Sequence, residues 1–172
     1  INQIMTLNCA IIDDEPLSVE MMSEYVEKTP FLSLSGSYNS AVQAIKALRE
    51  NPVDLLFLEI QMPELSGLEF AKILPKRTKI IFTTAFPQYA IDGYEVEALG
   101  YILKPVSYDA FLKVAKRAHD WFVQSEKAKT YAEDRFIFVK SDYKLVRIDL
   151  DDILFVEGLK DYVRIYTENG DK

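Results

Sequence analysis

Four apolar stretches of this sequence each end in side chains that could take part in phosphoryl chemistry. The polar groups in question are Asp13, Asp14, Glu15, Glu59, Thr83, Thr84 and Lys104. Neighbouring carboxylates repel one another unless a cation lies between them, and hard oxygen ligands favour Mg²⁺. A metal ion, an ammonium and a hydroxyl can each hold one oxygen of a transferring phosphoryl group. The set therefore predicts a site for phosphoryl transfer that uses magnesium.

Alternating strand and helix patterns would bring these groups together. Apolar runs predict strands at Leu7 to Ile12, Phe31 to Ser37, Val53 to Glu59, Lys79 to Thr84 and Tyr101 to Leu103. Helical patterns are found at Pro16 to Lys28, from the cap Ser40 to Glu50, at Leu68 to Leu74, at Tyr89 to Leu99, and in a long last helix capped by Ser107. This order predicts an α/β fold, a flavodoxin-like doubly wound (βα)5 parallel sheet. The carboxyl ends of strands 1, 3, 4 and 5 would meet at one edge of that sheet.

The periodicity changes after Asp134. The last helical pattern continues through the charged residues 126–135 as a connector, and residues 136–172 then alternate apolar and polar side chains with turn signals at Ser141-Asp142 and Glu168 to Asp171. So short a run of strands seldom makes a stable unit alone. We therefore predict a first domain over residues 1–125, a helical connector, and a partial all-β segment that is truncated.

Composition narrows the class of protein. The net charge of −7 argues against a chain whose main task is to bind nucleic acid, and the only cysteine, Cys9, lies in an apolar run, which predicts a buried thiol and excludes disulfides within the chain. No apolar run is long enough to span a membrane, and the start lacks a signal-peptide pattern. These features favour a cytoplasmic protein.

Four motifs resemble the receiver domain of bacterial two-component response regulators. They are DDEP at 13–16, LEIQMPELSG at 58–67, FTTA at 82–85 and LKP at 103–105, and they cover residues 7 to about 125 in the order and spacing of that CheY-like domain. The segment YKLVRIDLDDILFVEGLKDYVRIYTENG resembles the opening strands of a LytTR-type DNA-binding domain. The resemblance implies a transcriptional regulator that is not an enzyme and whose partner is a sensor histidine kinase.

The resemblance also implies roles for individual residues. Asp13, Asp14, Glu59 and the backbone carbonyl of Gln61 would hold Mg²⁺, and Thr84 and Lys104 would bind the phosphoryl group. Tyr101 would be the switch aromatic that turns inward with Thr84, with a simple core aromatic as the alternative. Strand alternation does not decide between Thr83 and Thr84, and Thr84 is favoured because it precedes Ala85. The bond before Pro105 can be cis, which would turn Lys104 into the pocket, although trans is the commoner form.

One residue departs from the family pattern. The position of Glu59 is an aspartate in the family, where it attacks a phosphohistidine and becomes an acyl phosphate. Glutamate is one methylene longer, and a displacement near 1 Å can cost about a hundredfold in rate, so we expect Glu59 to be phosphorylated poorly or not at all. Its charge could reach Lys104 and Thr84 and imitate phosphorylation in part. A degenerate receiver that signals by protein contacts alone is the alternative. A flavodoxin-like enzyme is disfavoured because the acidic loop after strand 1 would repel a flavin phosphate. A phosphatase-like enzyme is disfavoured because Asp14-Glu15-Pro16 lacks the second spaced aspartate of the phosphatases.

Two further expectations concern partners. Six basic and eight acidic side chains in residues 136–172 give this segment a net charge of −2, so we expect weak or no DNA binding by this chain and DNA binding by the full-length protein. A homodimer could form by strand exchange or through the face of helix 4, strand 5 and helix 5. That face would include Tyr89, Tyr94, Tyr101, Phe111 and Lys113. His119 is expected to be a solvated helix residue.

Overall fold

Strands that are apolar on both sides form the centre of the fold. The computed structural model describes residues 5–88, 97–133, 136–141 and 144–168. Five parallel strands make one sheet in the order β2-β1-β3-β4-β5. The strands are β1 Leu7–Ile12, β2 Leu32–Tyr38, β3 Leu55–Glu59, β4 Lys79–Thr84 and β5 Gly100–Leu103. This order, with the first strand inside the sheet, confirms the predicted doubly wound α/β fold.

Helices follow the strands on both faces of the sheet. They are α1 Pro16–Glu27, α2 Ala41–Glu50, α3 Gly67–Ile73 and the long α4 Tyr108–Glu133. The Ser40 side chain accepts from Gln43 N–H at the start of α2, and the Ser107 hydroxyl accepts from Ala110 N–H at the start of α4, so both predicted caps are present. Most of the predicted helix Tyr89 to Leu99, namely residues 89–96, lies outside the described residues. None of the helices in the described part of the chain is long and apolar enough to cross a membrane.

The sheet separates two apolar clusters. Leu55 and Phe57 of β3 point toward α1 and α4, whereas Leu56 and Leu58 point toward α2 and α3. This alternation explains why β3 is buried along its whole length. It also puts Asp13 and Glu59 at the ends of strands that cannot shift without exposing apolar side chains.

Cys9 belongs to the first of these clusters. Its side chain is fully buried, as predicted, and burial together with the charge of Asp54 raises the pKa of the thiol to about 12. The thiol is therefore protonated and unreactive in the folded protein.

The structure corrects two expectations about α4. Phe111 is fully buried against Phe57, with the ring centroids 4.9 Å apart, so it cannot belong to an exposed dimer face. His119 is half-buried against the Phe31 ring, and its Nε2 lies 2.8 Å from the Met5 carbonyl oxygen. The predicted solvated histidine is wrong, because α4 packs this side of its surface against the start of β1 and β2.

The chain divides into two compact units after Val123. The second unit holds two antiparallel hairpins, β6 Phe136–Ser141 with β7 Lys144–Asp149, and β8 Ile153–Leu159 with β9 Tyr162–Thr167. A short 3₁₀ helix, Leu150–Asp152, precedes β8. The antiparallel strands confirm the predicted all-β segment, while its final turn at 169–171 and residues 142–143 lie outside the described residues. Several large apolar side chains of the hairpins are exposed, including Leu145, Leu154 and Tyr162.

Candidate phosphoacceptor site

The carboxyl ends of β1, β3, β4 and β5 form the candidate site. Glu59 pairs with Thr83 in the register of β3 and β4, and Thr84 pairs with Leu103 in that of β4 and β5, so Lys104 follows directly beside the threonines. The Lys104–Pro105 peptide bond is cis. Asp13, Glu59, Thr83 and Thr84 are buried, although all four are polar. A buried polar cluster of this kind requires internal partners.

Lys104 supplies the main partner for the acids. Its Nζ lies 2.8 Å from Asp13 Oδ2, 2.8 Å from Glu59 Oε2 and 3.8 Å from Glu15 Oε2, and 19% of its side chain is exposed. Burial lowers the pKa of Lys104, but hydrogen bonds and charges from Asp13 and Glu59 outweigh it, so the net effect raises the pKa above its ordinary value. Lys104 is therefore a firmly charged cation that bridges two buried carboxylates.

Glu59 is folded back onto its own loop. Its Oε1 accepts hydrogen bonds from Ile60 N–H at 2.9 Å and Gln61 N–H at 3.0 Å, while Oε2 faces Lys104. The predicted approach of Glu59 to Lys104 is thus present in the structure. The Thr84 hydroxyl oxygen instead accepts from Phe86 N–H at 3.1 Å. Glu59 therefore reaches one of the two groups that the sequence suggested as its partners.

Asp13 is held on both of its carboxylate oxygens. Oδ1 accepts from Glu15 N–H at 3.0 Å and Oδ2 faces Lys104, whereas the neighbouring Asp14 is exposed. Glu15, which the sequence placed among the polar groups of the site, also accepts from the Ser18 hydroxyl at 3.0 Å. This bond and the Lys104 contact place Glu15 at the rim of the pocket.

The oxygen donors are of the right chemical type for Mg²⁺, but their arrangement differs from the predicted metal site. Within the described ranges, no three carboxylate, imidazole or thiolate side chains are grouped so that they could hold a metal ion. Lys104 Nζ lies between the two buried acids, and its single positive charge offsets part of their negative charge. Asp13, Asp14 and the Gln61 carbonyl remain a chemically suitable set of donors for a hard cation.

Tyr101 and the two threonines lie next to the pocket. The Tyr101 ring is half-buried and stacks on Phe82, with the ring centroids 5.5 Å apart. Thr83 and Thr84 are both buried, and of the two only Thr84 has its hydroxyl oxygen placed at the β4 loop by a described hydrogen bond. Tyr101 as the switch aromatic and Thr84 as a group that binds phosphate remain predictions.

The sequence reasoning missed Gly67, which lets α3 approach the end of β3. A Cβ on Gly67 would overlap the Glu59 carbonyl oxygen and lie 3.0 Å from Ile60 Cα, and Gly67 N–H donates to the Ile60 carbonyl at 2.8 Å. Ser66 and Glu69 form a capping box that starts the helix at this point. The Ser-x-x-Glu spacing at 66–69 was the signal that could have located this helix start.

The Gly67→Ala variant should lose about 1–3 kcal/mol of the free energy of unfolding, because the added methyl group meets rigid backbone atoms. Urea unfolding followed by far-UV circular dichroism measures the loss. Gly158→Ala is the matched control, since a Cβ at Gly158 has no neighbour within 4 Å. Equal stability of the two variants would contradict this account of Gly67.

Comparison with known proteins identifies the family. Residues 9–116 match the response regulator receiver domain family. The chain is 30% identical over 170 residues to the transcriptional regulatory protein BtsR of Escherichia coli, covering 93% of this chain and 69% of that protein. It is 30% identical to the sensory transduction protein LytT of Bacillus anthracis, covering 90% and 67%.

A shorter match and a solved structure agree with this result. An uncharacterized response regulatory protein of Vibrio cholerae is 33% identical over 113 residues, and the matched part spans about half of that protein, 48%. The crystal structure of the response regulatory domain of mrkE from Klebsiella pneumoniae is 28% identical with a TM-score of 0.63, covering 68% of this chain and 98% of that domain. The chain therefore belongs to the response regulators, and its first unit is their receiver domain.

Proposed function

We propose that this chain is the receiver switch of a two-component phosphorelay and that its output is transcriptional regulation through a LytTR-type DNA-binding domain that begins in residues 136–172. The observation that carries the proposal is the buried group of Asp13, Glu59 and Lys104 beside Thr84 at one edge of the sheet. BtsR is a transcriptional regulatory protein, which supports the transcriptional output, and LytT is a sensory transduction protein, which supports a role in signalling. Both are longer than the part matched here. The antiparallel hairpins with exposed apolar side chains support the start of a second domain.

A sensor histidine kinase in the cytoplasm is the proposed partner. In phosphoryl transfer, an acceptor carboxylate oxygen would form a bond to phosphorus while the bond from phosphorus to the kinase imidazole nitrogen breaks. Glu59 occupies the acceptor position, where two backbone N–H groups donate to its Oε1 and its Oε2 forms an ion pair with Lys104. We propose that Glu59 is phosphorylated poorly or not at all.

Glu59 would imitate the phosphorylated state only in part. It supplies the contact with Lys104, but a carboxylate brings fewer charges and fewer acceptor oxygens than a phosphoryl group. A switch moved from 1:99 to 99:1 needs about 5.5 kcal/mol of differential interaction, more than one such contact supplies. The second candidate is a degenerate receiver that signals by protein contacts alone, and the closed Glu59–Lys104 pair also favours it.

Mg²⁺ is the proposed cofactor of the receiver. Asp13, Asp14 and the Gln61 carbonyl would hold the ion, which would supply positive charge to a phosphoryl group. Glu59, which we also expected among the ligands, instead holds Lys104. Lys104 and the ion therefore need the same Asp13 oxygen, which should weaken binding of the metal.

The test compares the chain with Glu59→Asp, each with and without the phosphoryl analogue beryllofluoride. Isothermal titration calorimetry with MgCl₂ should show affinity about tenfold lower in the unaltered chain, because Glu59 holds Lys104 against Asp13. Size-exclusion chromatography with light scattering should show that beryllofluoride changes the oligomeric state of the Glu59→Asp variant alone. Equal Mg²⁺ affinities would contradict the role given to Glu59, and no Mg²⁺ binding by either protein would contradict the receiver proposal.

Dimerisation is proposed through the face that includes β5, where Leu103 is half-exposed, or through strand exchange between hairpins. Tyr89 and Tyr94, which the sequence placed on this face, lie outside the described residues. Phe111 is excluded from it by its burial.

The chain itself should bind duplex DNA weakly or not at all. Residues 136–172 carry a net charge of −2, which is a poor match for a phosphate backbone. Fluorescence anisotropy with a labelled duplex of about 30 base pairs measures this binding in low salt. Sub-micromolar, salt-dependent binding would contradict the expectation.

A further inference from the structure

A groove on the first unit, at the edge of the sheet opposite the phosphoacceptor site, combines an apolar slot with a basic rim. The slot lies between α2 and α3, has a volume of about 120 Å³ and is lined by Ile45, Leu48, Phe70 and Ile73. A second cavity of about 350 Å³ adjoins it, because Leu74 and Pro75 line both. We propose that this continuous groove, named here the α2–α3 groove, docks an acidic amphipathic segment of a partner protein.

The charge of the rim identifies the kind of partner. Among the described residues, Lys72, Lys76 and Glu97 line the larger cavity, and Arg49 lines the slot. Lys79 also borders the larger cavity, but its Nζ lies 5.0 Å from the centroid of the Trp121 ring, so its charge does not belong to the rim. Arg49 and Lys72 lie in the last turns of their helices, where a cation also stabilises the helix end. Lys76 lies beyond any helix, so helix stabilisation does not explain it. A basic rim on a chain with a net charge of −7 is a local reversal of sign that attracts an acidic surface.

The apolar lining of the slot favours a protein segment over nucleic acid. Ile73 is 61% exposed although it borders the buried side chains Leu48 and Phe70. An exposed aliphatic side chain at the mouth of an apolar slot can bury one or two apolar side chains of a partner helix. A phosphate backbone offers nothing to fill such a slot, and the acidic chain as a whole repels a long polyanion.

Hydrogen bonds hold the loop that follows α3 and borders the groove. The Thr78 hydroxyl donates to the Val53 carbonyl at 2.8 Å, and Thr78 N–H donates to the Pro75 carbonyl at 2.9 Å. Lys79 N–H donates to the Asp54 carbonyl at 2.8 Å. These bonds fix the loop from Pro75 to Lys79, so little ordering of the backbone opposes binding.

Fluorescence polarisation of the whole chain with designed peptides tests the proposal. The probe is a labelled helical peptide of about 14 residues with leucines at helical spacing on one face and glutamates elsewhere. It should bind with a dissociation constant on the order of 10 µM at low salt and more weakly as salt is raised. A peptide of the same composition in scrambled order, and one with lysine in place of glutamate, should each bind at least about tenfold more weakly.

Substitutions assign the binding to the groove. Lys76→Glu and Ile73→Ser should each weaken binding of the acidic peptide by about tenfold or more, and both residues are exposed, so the fold should tolerate the changes. Lys116→Glu on α4, which packs on the opposite face of the sheet, is the matched control and should leave binding within about twofold.

Several results would overturn the proposal. They are no saturable binding by about 1 mM peptide, equal binding of the scrambled peptide, an unchanged affinity in both groove variants, or tighter binding of a duplex DNA than of the acidic peptide. None of these measurements involves Glu59, so failure here leaves the phosphoacceptor proposal to its own test.

Discussion

The Glu59→Asp variant is expected to take up phosphate from acetyl phosphate at least about a hundred times faster than the unaltered chain. In the folded receiver, Glu59 Oε1 is held by the N–H groups of Ile60 and Gln61, and Oε2 is held by Lys104. A side chain one methylene shorter would withdraw its carboxylate from these donors and leave space between it and Lys104 for a phosphoryl group. Intact-mass spectrometry over time, in MgCl₂, measures the uptake.

Glu59→Gln is the control for this experiment. It keeps the length of the side chain and removes the nucleophilic carboxylate, so it should take up no phosphate at this position. Equal rates for the unaltered chain and Glu59→Asp would show that the additional methylene does not obstruct transfer. Uptake by Glu59→Gln would show that another residue is the acceptor.

The Lys104→Met variant should lose about 3–5 kcal/mol of the free energy of unfolding near neutral pH. Lys104 bridges Asp13 and Glu59, and its removal leaves two buried carboxylates without a neutralising cation. Urea unfolding followed by the fluorescence of the single tryptophan, Trp121 in α4, reports the receiver unit directly.

The free energy of unfolding of the unaltered chain should fall at high pH. Because the pKa of Lys104 is raised in the folded state, its stabilisation is complete below the ordinary lysine pKa and is lost as the pH rises through the raised value. The control is Lys116→Met, which replaces an exposed lysine in the same helix as Trp121. It should change the free energy of unfolding by no more than about 0.5 kcal/mol. A loss below about 1 kcal/mol in Lys104→Met would contradict a buried ionic bridge.

Much of the receiver fold could be predicted from periodicity. The bounds of β1 and β4 agree with the sequence to the residue, because both strands carry a mostly apolar and buried run that turn-forming or charged residues flank. Proline and serine positions located the starts of α1 and α2 equally well. The all-β character of the segment after residue 135 also followed from the alternation of apolar and polar side chains.

The contacts inside the site could not be predicted in the same way. That Lys104 Nζ lies between Asp13 and Glu59 depends on distances among three loops far apart in the chain, and spacing in sequence carries no such distances. Helical periodicity likewise gave α4 an apolar side, but it did not show that Phe111 faces the sheet or that His119 reaches the Met5 carbonyl. Gly67 was missed because its role depends on the absence of a Cβ atom, which would overlap the backbone at the end of β3.

Chemical labelling of the buried Cys9 thiol can report the unfolding of the receiver. The sequence has one cysteine, which lies in the interior strand β1, and its pKa of about 12 keeps the thiol unreactive while the sheet is intact. An alkylating reagent should therefore modify the chain only when β1 opens. The labelling rate then measures how often the receiver opens globally under native conditions. A second cysteine introduced at any exposed position could then be labelled selectively, without first replacing the native one.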